Sequence, residues 1–392
     1  MTAYNFDTLI PRRDSDSAKW NAFDADVLPM WVADMDFRSP EPVLRALHER
    51  VEHGVFGYSF GSEKPLAQAI SDRMAQRFGW QVDPAHIVFI PNLFYGLYVV
   101  SRAYAEPDNG SVLIQTPVYG PFISAPSNAG RPLRTAEMDA VRVNGHLRYE
   151  IDFDRFEAAI TPDTRLFILC SPHNPVGRVW SRAELERLTD ICLRHNLVII
   201  SDEIHADLVY AGSQHIPTGA LSPEVAAHTV TLHSASKAFN LPGLALGYAI
   251  VPNDDLRRQL TGVLNAANVH SGMLGAVATL AAYREGQPWL DALKVYLQAN
   301  RDYLLDYLQR CLPQIVPTRP EGTYLAWLDC RAAGIPGKPS DFFLHEAKVA
   351  FNDGAWFGQG GEGFVRLNFG CPRATLTEAL ERMSAALARL GG

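Results

Sequence analysis

Cysteine is scarce and scattered. The chain of 392 residues holds five, Cys170, Cys192, Cys311, Cys330 and Cys371, with no C-x-x-C pair among them. An odd, dispersed set excludes a disulfide framework and a zinc ribbon, and it fits reduced thiols in the cytoplasm. Long apolar runs are absent too. No stretch reaches the roughly 18 uninterrupted apolar residues that a membrane span needs. Positive charge is in deficit: 35 Lys and Arg stand against 43 Asp and Glu, a net charge of −8 with a pI near 5.8. That balance argues against a nucleic acid or an anionic membrane as the main partner, while leaving room for a local pocket for a small anion. Residues 1–16 lack the apolar core of a signal peptide, so a secretory leader is not expected. No internal repeat, low-complexity tract or long charged run is present. What remains, 47% hydrophobic and 20% charged residues, is the composition of a globular protein with a large core.

Short apolar runs at 87–90, 112–115, 166–169, 197–201, 229–232 and 248–251 read as strands buried on both faces. Between two of them, residues 181–195 open with Ser181 and Glu184 in capping-box spacing, and Leu185, Leu188 and Cys192 fall on one helical face. Strand, helix, strand at this rhythm predicts an α/β fold with a mostly parallel sheet covered by helices. The end of the chain differs. A long helical pattern over 289–312 precedes strands at 324–329 and 364–369. Leu376, Leu380, Met383, Leu387 and Leu390 then mark a closing amphipathic helix. This predicts a smaller α+β C-terminal domain. The expected division is an N-terminal arm over 1–46 packing with the small domain, a large domain over 47–284, and the small domain over 285–392.

A parallel sheet binds ligands beyond the carboxyl ends of its strands. Four polar clusters fall there. They are Gln115-Thr116-Pro117-Val118-Tyr119, Cys170-Ser171-Pro172-His173-Asn174-Pro175-Val176-Gly177, Asp202-Glu203-Ile204-His205 and His233-Ser234-Ala235-Ser236-Lys237. Together they hold what pyridoxal 5′-phosphate chemistry requires: a lysine to form the imine and a carboxylate to keep the pyridine nitrogen protonated. The same set offers a donor for the phenolate oxygen, an aromatic to stack on the ring, and a site for the phosphate.

With these motifs in order, the chain resembles the fold-type-I pyridoxal-phosphate enzymes of the class I/II aminotransferase superfamily. Within them it is most similar to the cystathionine β-lyases and cysteine-S-conjugate β-lyases of the MalY/PatB kind. The resemblance runs from Met30-Trp31-Val32-Ala33-Asp34-Met35-Asp36-Phe37, through Gly54-Val55-Phe56-Gly57-Tyr58, to Gly363-Phe364-Val365-Arg366-Leu367-Asn368-Phe369. It implies that Lys237 carries the cofactor and shuttles the Cα proton. Asp202 would pair with the pyridine nitrogen, Asn174 hold the phenolic oxygen and Tyr119 stack on the ring. Ser234, Ser236 and the backbone of Leu93 and Phe94 would bind phosphate, with Tyr58 reaching the phosphate of a neighbouring subunit in a homodimer. Arg366 would clamp the substrate carboxylate, assisted by Asn174 and the Ala33 N–H.

Three departures from the wider superfamily carry information. The phosphate-binding arginine eight residues after the lysine is replaced by Ala245, which favours the lyase branch. His205 stands where a tyrosine is usual, within Asp-Glu-Ile-His-Ala-Asp, and is assigned to the cofactor site. The normally glycine-rich phosphate loop reads Pro91-Asn92-Leu93-Phe94-Tyr95-Gly96, where Asn92 tolerates left-handed backbone better than most residues. Each residue also has a plainer reading: Lys237 as a surface lysine, Asp202 as a helix N-cap, Ser234 and Ser236 as turn residues, Tyr119 as packing. Arg366 could be an ion-paired strand arginine, and His205 a structural histidine.

Two decoys fall away. Gly358-Gln359-Gly360-Gly361-Glu362-Gly363 satisfies G-x-G-x-x-G but precedes a strand, whereas a dinucleotide fingerprint opens a helix. His205 with Asp202 and Glu203 does not form H-E-x-x-H, and no metal site is expected. The aromatics Trp31, Tyr58 and Trp356 fit either a core or a pocket for a thioether side chain. The expected reaction is β-elimination from a cysteine S-conjugate such as L-cystathionine, releasing a thiol, pyruvate and ammonia. Alternatives are an aminotransferase, or a cofactor-binding regulator, for which the short arm leaves no room for a helix-turn-helix.

Overall fold

The computed structural model describes residues 4–58, 63–105 and 110–390. The ends of the expected arm and small domain at 1–3 and 391–392, and parts of the expected large domain at 59–62 and 106–109, lie outside the described residues. A seven-stranded sheet forms the centre: β1 (Ile87–Ile90), β2 (Ser111–Thr116), β3 (Leu133–Glu137), β4 (Thr164–Cys170), β5 (Val198–Asp202), β6 (Thr229–His233) and β7 (Gly247–Ile250). Their order across the sheet is β1-β7-β6-β5-β4-β2-β3, with β7 antiparallel to both its neighbours and the other pairs parallel.

Side-chain alternation along each strand explains why both faces are apolar. Leu166 and Ile168 of β4 join Val112 and Ile114 of β2 in a core under the helices Leu93–Tyr104, Pro121–Asn128 and Asp254–Ala267. Phe167 and Leu169 point the other way, to Leu185, Leu188 and Cys192 of the helix Arg182–Arg194. That helix begins as its sequence requires: Ser181 accepts the Glu184 N–H and Glu184 accepts the Ser181 N–H, a complete capping box. The edge strand β3 and the hairpin Asp139–Val143/His146–Glu150 were not legible as buried runs, because their residues are mostly exposed or half-buried.

After the helix Gln287–Cys311, a four-stranded antiparallel sheet forms from β8 (Val316–Pro317), β9 (Leu325–Asp329), β10 (Asn352–Asp353) and β11 (Phe364–Asn368), in the order β8-β9-β11-β10. The closing helix Arg373–Leu390 buries Leu376, Leu380, Met383 and Leu387; Leu390 remains exposed. The N-terminal segment lies on this part of the chain. Leu28 and Pro29 pair in parallel with Val349 and Ala350, the Tyr296 hydroxyl donates to Asp7 at 2.5 Å, and Arg382 donates to the Asp26 carbonyl at 2.7 Å. The helix Glu41–Glu52 runs across residue 46 and packs on the helix Met273–Glu285.

A charged cluster ties the two sheets beside the future site. Buried Arg178 donates to Glu321 at 3.1 Å, to Glu184 at 2.8 Å and to the Tyr149 carbonyl. Next to it Gly177 has φ +76°, and a Cβ there would come 2.7 Å from the Pro320 Cα. Replacing Gly177 by alanine therefore adds left-handed strain to a backbone clash. The expected loss is about 2–4 kcal/mol in a denaturant titration.

Candidate active site

The carboxyl ends of β4, β5 and β6 open on one pocket of about 850 Å³ including its mouth. Ala33, Leu93, Phe94, Tyr119, Asn174, Asp202, His205, Ser234, Ser236 and Lys237 all line it. Arg366 sits directly behind Asn174, and Tyr58 stands away from the pocket, 92% exposed in the single chain.

Lys237 lies in the turn after β6. Ser234 Oγ donates to the Leu246 carbonyl at 2.6 Å and accepts the Ser236 N–H at 3.1 Å, which fixes the turn from within. The Lys237 ammonium donates to the Ala33 carbonyl at 2.5 Å. Burial and the Arg366 charge push its pKa down to about 8, against the opposing pull of Asp34 and Asp202. A lysine so tuned has a usable neutral fraction near neutral pH.

Asp202 ends β5 and is 5% exposed. Its Oδ1 accepts the Ile204 N–H at 3.1 Å, and no cation stands at ion-pair distance among the described residues. Burial, with Glu203 adding, raises its pKa to about 7. A buried carboxylate without a counter-charge suits a ligand that brings one, such as a protonated ring nitrogen. Tyr119 follows β2 and donates its N–H to the Asn174 carbonyl at 3.0 Å, and Trp356 meets its ring edge-on at 5.3 Å. Asn174 accepts from Arg366 Nη1 at 3.1 Å through Oδ1. With that oxygen committed, its Nδ2 hydrogens are the ones left for a ligand acceptor.

Arg366 occupies the middle of β11 and is 2% exposed. Its Nη2 donates to the Trp31 carbonyl at 2.9 Å and to Asn352 Oδ1 at 2.7 Å, and its guanidinium lies 5.0 Å from the centre of the Phe357 ring. Burial lowers its pKa to about 10, so it stays charged at neutral pH, and no carboxylate pairs with it among the described residues. A caged cation with no partner suits a substrate carboxylate.

The helix Leu93–Tyr104 starts at the pocket, and the N–H groups of Leu93 and Phe94 have no intrahelical acceptor, an arrangement that suits an anion. Asn92 does not serve as a left-handed residue, contrary to the expectation. Its backbone is extended at φ −164°, and its Oδ1 caps the helix by accepting the Tyr95 N–H at 2.8 Å. Ala245, which also lines the pocket, does adopt left-handed backbone, at φ +47°. His205 is buried with its Nδ1 unpartnered among the described residues; burial first, then Lys237 and Arg366, hold it well below its ordinary pKa and hence neutral. No group of His, Cys, Asp and Glu that could hold a metal occurs among the described residues. No helix there is long and apolar enough to cross a membrane. The G-x-G-x-x-G stretch is the loop before β11.

Two contributors carried no sequence signal. Asn352 braces Arg366 from a neighbouring strand, and Tyr324 donates to the same Ala33 carbonyl as Lys237, at 2.8 Å. Only their proximity in space reveals them. Cys170, which ends its strand in one of the polar clusters, lines the pocket beside Asp202.

The sheet order, and a pocket at its carboxyl edge holding a lysine, an unpaired carboxylate and a caged arginine, define an α/β enzyme of the fold-type-I transferase architecture. Residues 26–383 match the family described as aminotransferase class I and II. Cystathionine β-lyase PatB of Bacillus subtilis is 39% identical over 98% of this chain and 100% of its own. Protein MalY of Escherichia coli is 33% identical over 96% and 97%. A C–S lyase from Staphylococcus hominis, solved with pyridoxal phosphate bound, superimposes with a TM-score of 0.90 at 35% identity over 98% of both chains. The chain belongs to the class I and II aminotransferase family, in its PatB/MalY-type cystathionine β-lyase branch.

One consequence concerns Asp202 in the cofactor-free protein. Its folded pKa lies above the ordinary carboxyl value, so the fold binds the extra proton below about pH 7 and must bury a charge above it. Asp202→Asn should raise the melting temperature of the cofactor-free protein at pH 8 by about 2–4 °C and leave it nearly unchanged at about pH 3, below both pKa values. Thermal melts at the two pH values check this.

Proposed function

We propose that the protein is a pyridoxal-phosphate-dependent carbon–sulfur lyase that cleaves cysteine S-conjugates such as L-cystathionine into a thiol, pyruvate and ammonia. The observation that carries the reading is the convergence of Lys237, Asp202 and Asn174 on one pocket with Arg366 caged behind it, in a chain of this branch. The residues fit the cofactor: Asp202 lacks a counter-charge, the Asn174 amide hydrogens are available, and the helix Leu93–Tyr104 opens toward the pocket.

In this reading Lys237 is the attachment point. Asp202 would hold the ring nitrogen and Asn174 the phenolic oxygen, with neutral His205 beside the ring. Tyr119 would stack on the ring. Ser234, Ser236 and the Leu93 and Phe94 N–H groups would take the phosphate. Pyridoxal phosphate, when bound, supplies the electron sink that stabilises the carbanion left by breaking the Cα–H bond. Arg366 and the Ala33 N–H orient the substrate carboxylate, and the fork geometry restricts rotation about Cα. The amine of Lys237, released by substrate, takes the Cα proton at Nζ; its pKa of about 8 suits a general base. The electron pair from that bond expels the thiolate from Cβ, and water converts the remaining three-carbon fragment to pyruvate and ammonia.

Ala245, where aminotransferases place a phosphate-side arginine, puts a methyl group at the pocket wall and favours elimination over amino transfer. The exposed apolar segment Val55, Phe56 and Tyr58, at 63%, 56% and 92%, supports a homodimer in which Tyr58 reaches the partner's phosphate. The dispersed free cysteines support a cytoplasmic location.

Incubation with cystathionine should yield thiol and pyruvate in equal amounts; release of no thiol from any cysteine conjugate rejects the reading, and accumulation of the pyridoxamine form would point to amino transfer. Lys237→Ala should lower kcat by at least about 10³-fold. Arg366→Lys should act mainly on KM, raising it by about 10-fold or more. The acid limb of the kcat profile should follow deprotonation of Lys237, with activity rising through about pH 8.

A further inference from the structure

The crossover segment 30–37 is gripped on both sides. On its inner side the backbone carbonyls hold the site. Trp31 accepts from Arg366 at 2.9 Å, Ala33 accepts from Lys237 at 2.5 Å, and Val32 and Asp34 accept from Asn368 at 2.5 and 2.7 Å. On its outer side the carboxylates of Asp34 and Asp36 face the N-terminal arm. Asp36 accepts from Lys19 at 2.7 Å, from Arg12 at 2.6 Å and from the Trp20 indole at 2.8 Å; Arg12 also meets Asp34 at 2.9 Å. Lys19 has no exposed side-chain surface and Asp36 only 5%, so this is a buried ion-pair network rather than a surface one.

None of these charged residues lines the pocket, and yet the segment they hold touches both of its functional cations. The side chains and the backbone divide the labour. The Asp34 and Asp36 carboxylates turn outward to the arm, while the carbonyls of residues 31–34 turn inward. Asn240, three residues beyond Lys237, secures the far end by accepting the Met35 N–H at 3.0 Å and donating to the Met35 and Phe37 carbonyls at 2.9 and 2.8 Å. Burial alone would raise the Asp36 carboxyl, but Lys19, Trp20 and Arg12 hold it below its ordinary value, so the network stays charged across the working range. Hydrogen bonds to a buried carbonyl are sensitive to shifts of a fraction of an ångström. A segment held only by its inner contacts would let the Lys237 and Arg366 heads drift.

We propose that Lys19, Arg12 and Asp36 are positioning residues: from outside the pocket they set the register of segment 30–37, and through its carbonyls they set the proton affinity of Lys237 and the placement of Arg366. The inference rests on the lyase reading for its kinetic consequence but not for its effect on Lys237.

The test compares Asp36→Asn and the double variant Lys19→Met/Asp36→Asn with Arg13→Met. The double variant removes both charges of the buried pair and so avoids stranding either one. Arg13 braces the same arm through the Trp20, Phe23 and Val27 carbonyls but touches neither carboxylate. Two quantities are read. One is the pH midpoint of Lys237 acetylation by a neutral reagent, followed by peptide mass spectrometry on the full chain without cofactor. The other is the KM against kcat split of the loaded enzyme with an S-alkyl cysteine. The network variants should lower the Lys237 midpoint by at least about half a unit, because the acceptor of its charged form is lost. They should raise KM at least about tenfold with kcat within about threefold. Arg13→Met should leave both at wild-type values even where it lowers the melting temperature. Network variants that lower only the melting temperature, or an Arg13→Met that shifts both readouts equally, overturn the proposal. If no cysteine conjugate is turned over, the lyase reading fails and the acetylation midpoint alone decides this one.

Discussion

Two buried cations tethered to one backbone segment are the constraint around which this protein is organised. The Lys237 ammonium and the Arg366 guanidinium donate to carbonyls only two residues apart, Ala33 and Trp31. Taking a cation from water is costly unless hydrogen bonds replace its hydration, and a neutral carbonyl does so without neutralising the charge. The pocket therefore keeps positive charge available for an anionic substrate. It also explains why the first forty residues, which add little to the central sheet, are held so firmly against the C-terminal part.

The large sheet has a complementary task. Parallel β4, β5 and β6 bring Cys170, Asp202 and His233 to one edge, and the turns beyond them carry Asn174, His205 and Lys237. Asp202 is the counterpart of the two cations: a buried negative charge with no partner of its own, raised in pKa because the fold alone does not satisfy it. Such unsatisfied groups of opposite sign on facing walls are the signature of a site built to be completed by a ligand. The small sheet delivers Arg366 to the same place, so neither half of the chain holds the whole arrangement.

Much of this is legible in the sequence. Apolar runs on both faces located six of the seven strands of the large sheet to within a residue or two, and the Ser181–Glu184 spacing gave the start of its helix. The ordered polar clusters at strand ends named the pocket lining. Edge strand β3 and the exposed hairpin left little trace because half-exposed strands lack a continuous apolar run. Conformational preference was a poor guide at Asn92, where the value of its side chain as an acceptor for a helix N–H outweighs its tolerance of left-handed backbone.

By itself, then, the sequence determined the fold class, the family, and which lysine and aspartate line the pocket with an arginine behind them, because each is written locally in residue types and spacings. The tertiary structure alone decided what charge those groups carry and what holds them. The pKa of Lys237 near 8, that of Asp202 near 7 and the neutrality of His205 arise from burial and from charges distant in sequence. The grip of Arg12 and Lys19 on Asp34 and Asp36 bridges the arm to a segment whose carbonyls face the pocket. A backbone carbonyl is the same in every residue, so no sequence pattern marks the ones that a folded chain aims at a buried amine.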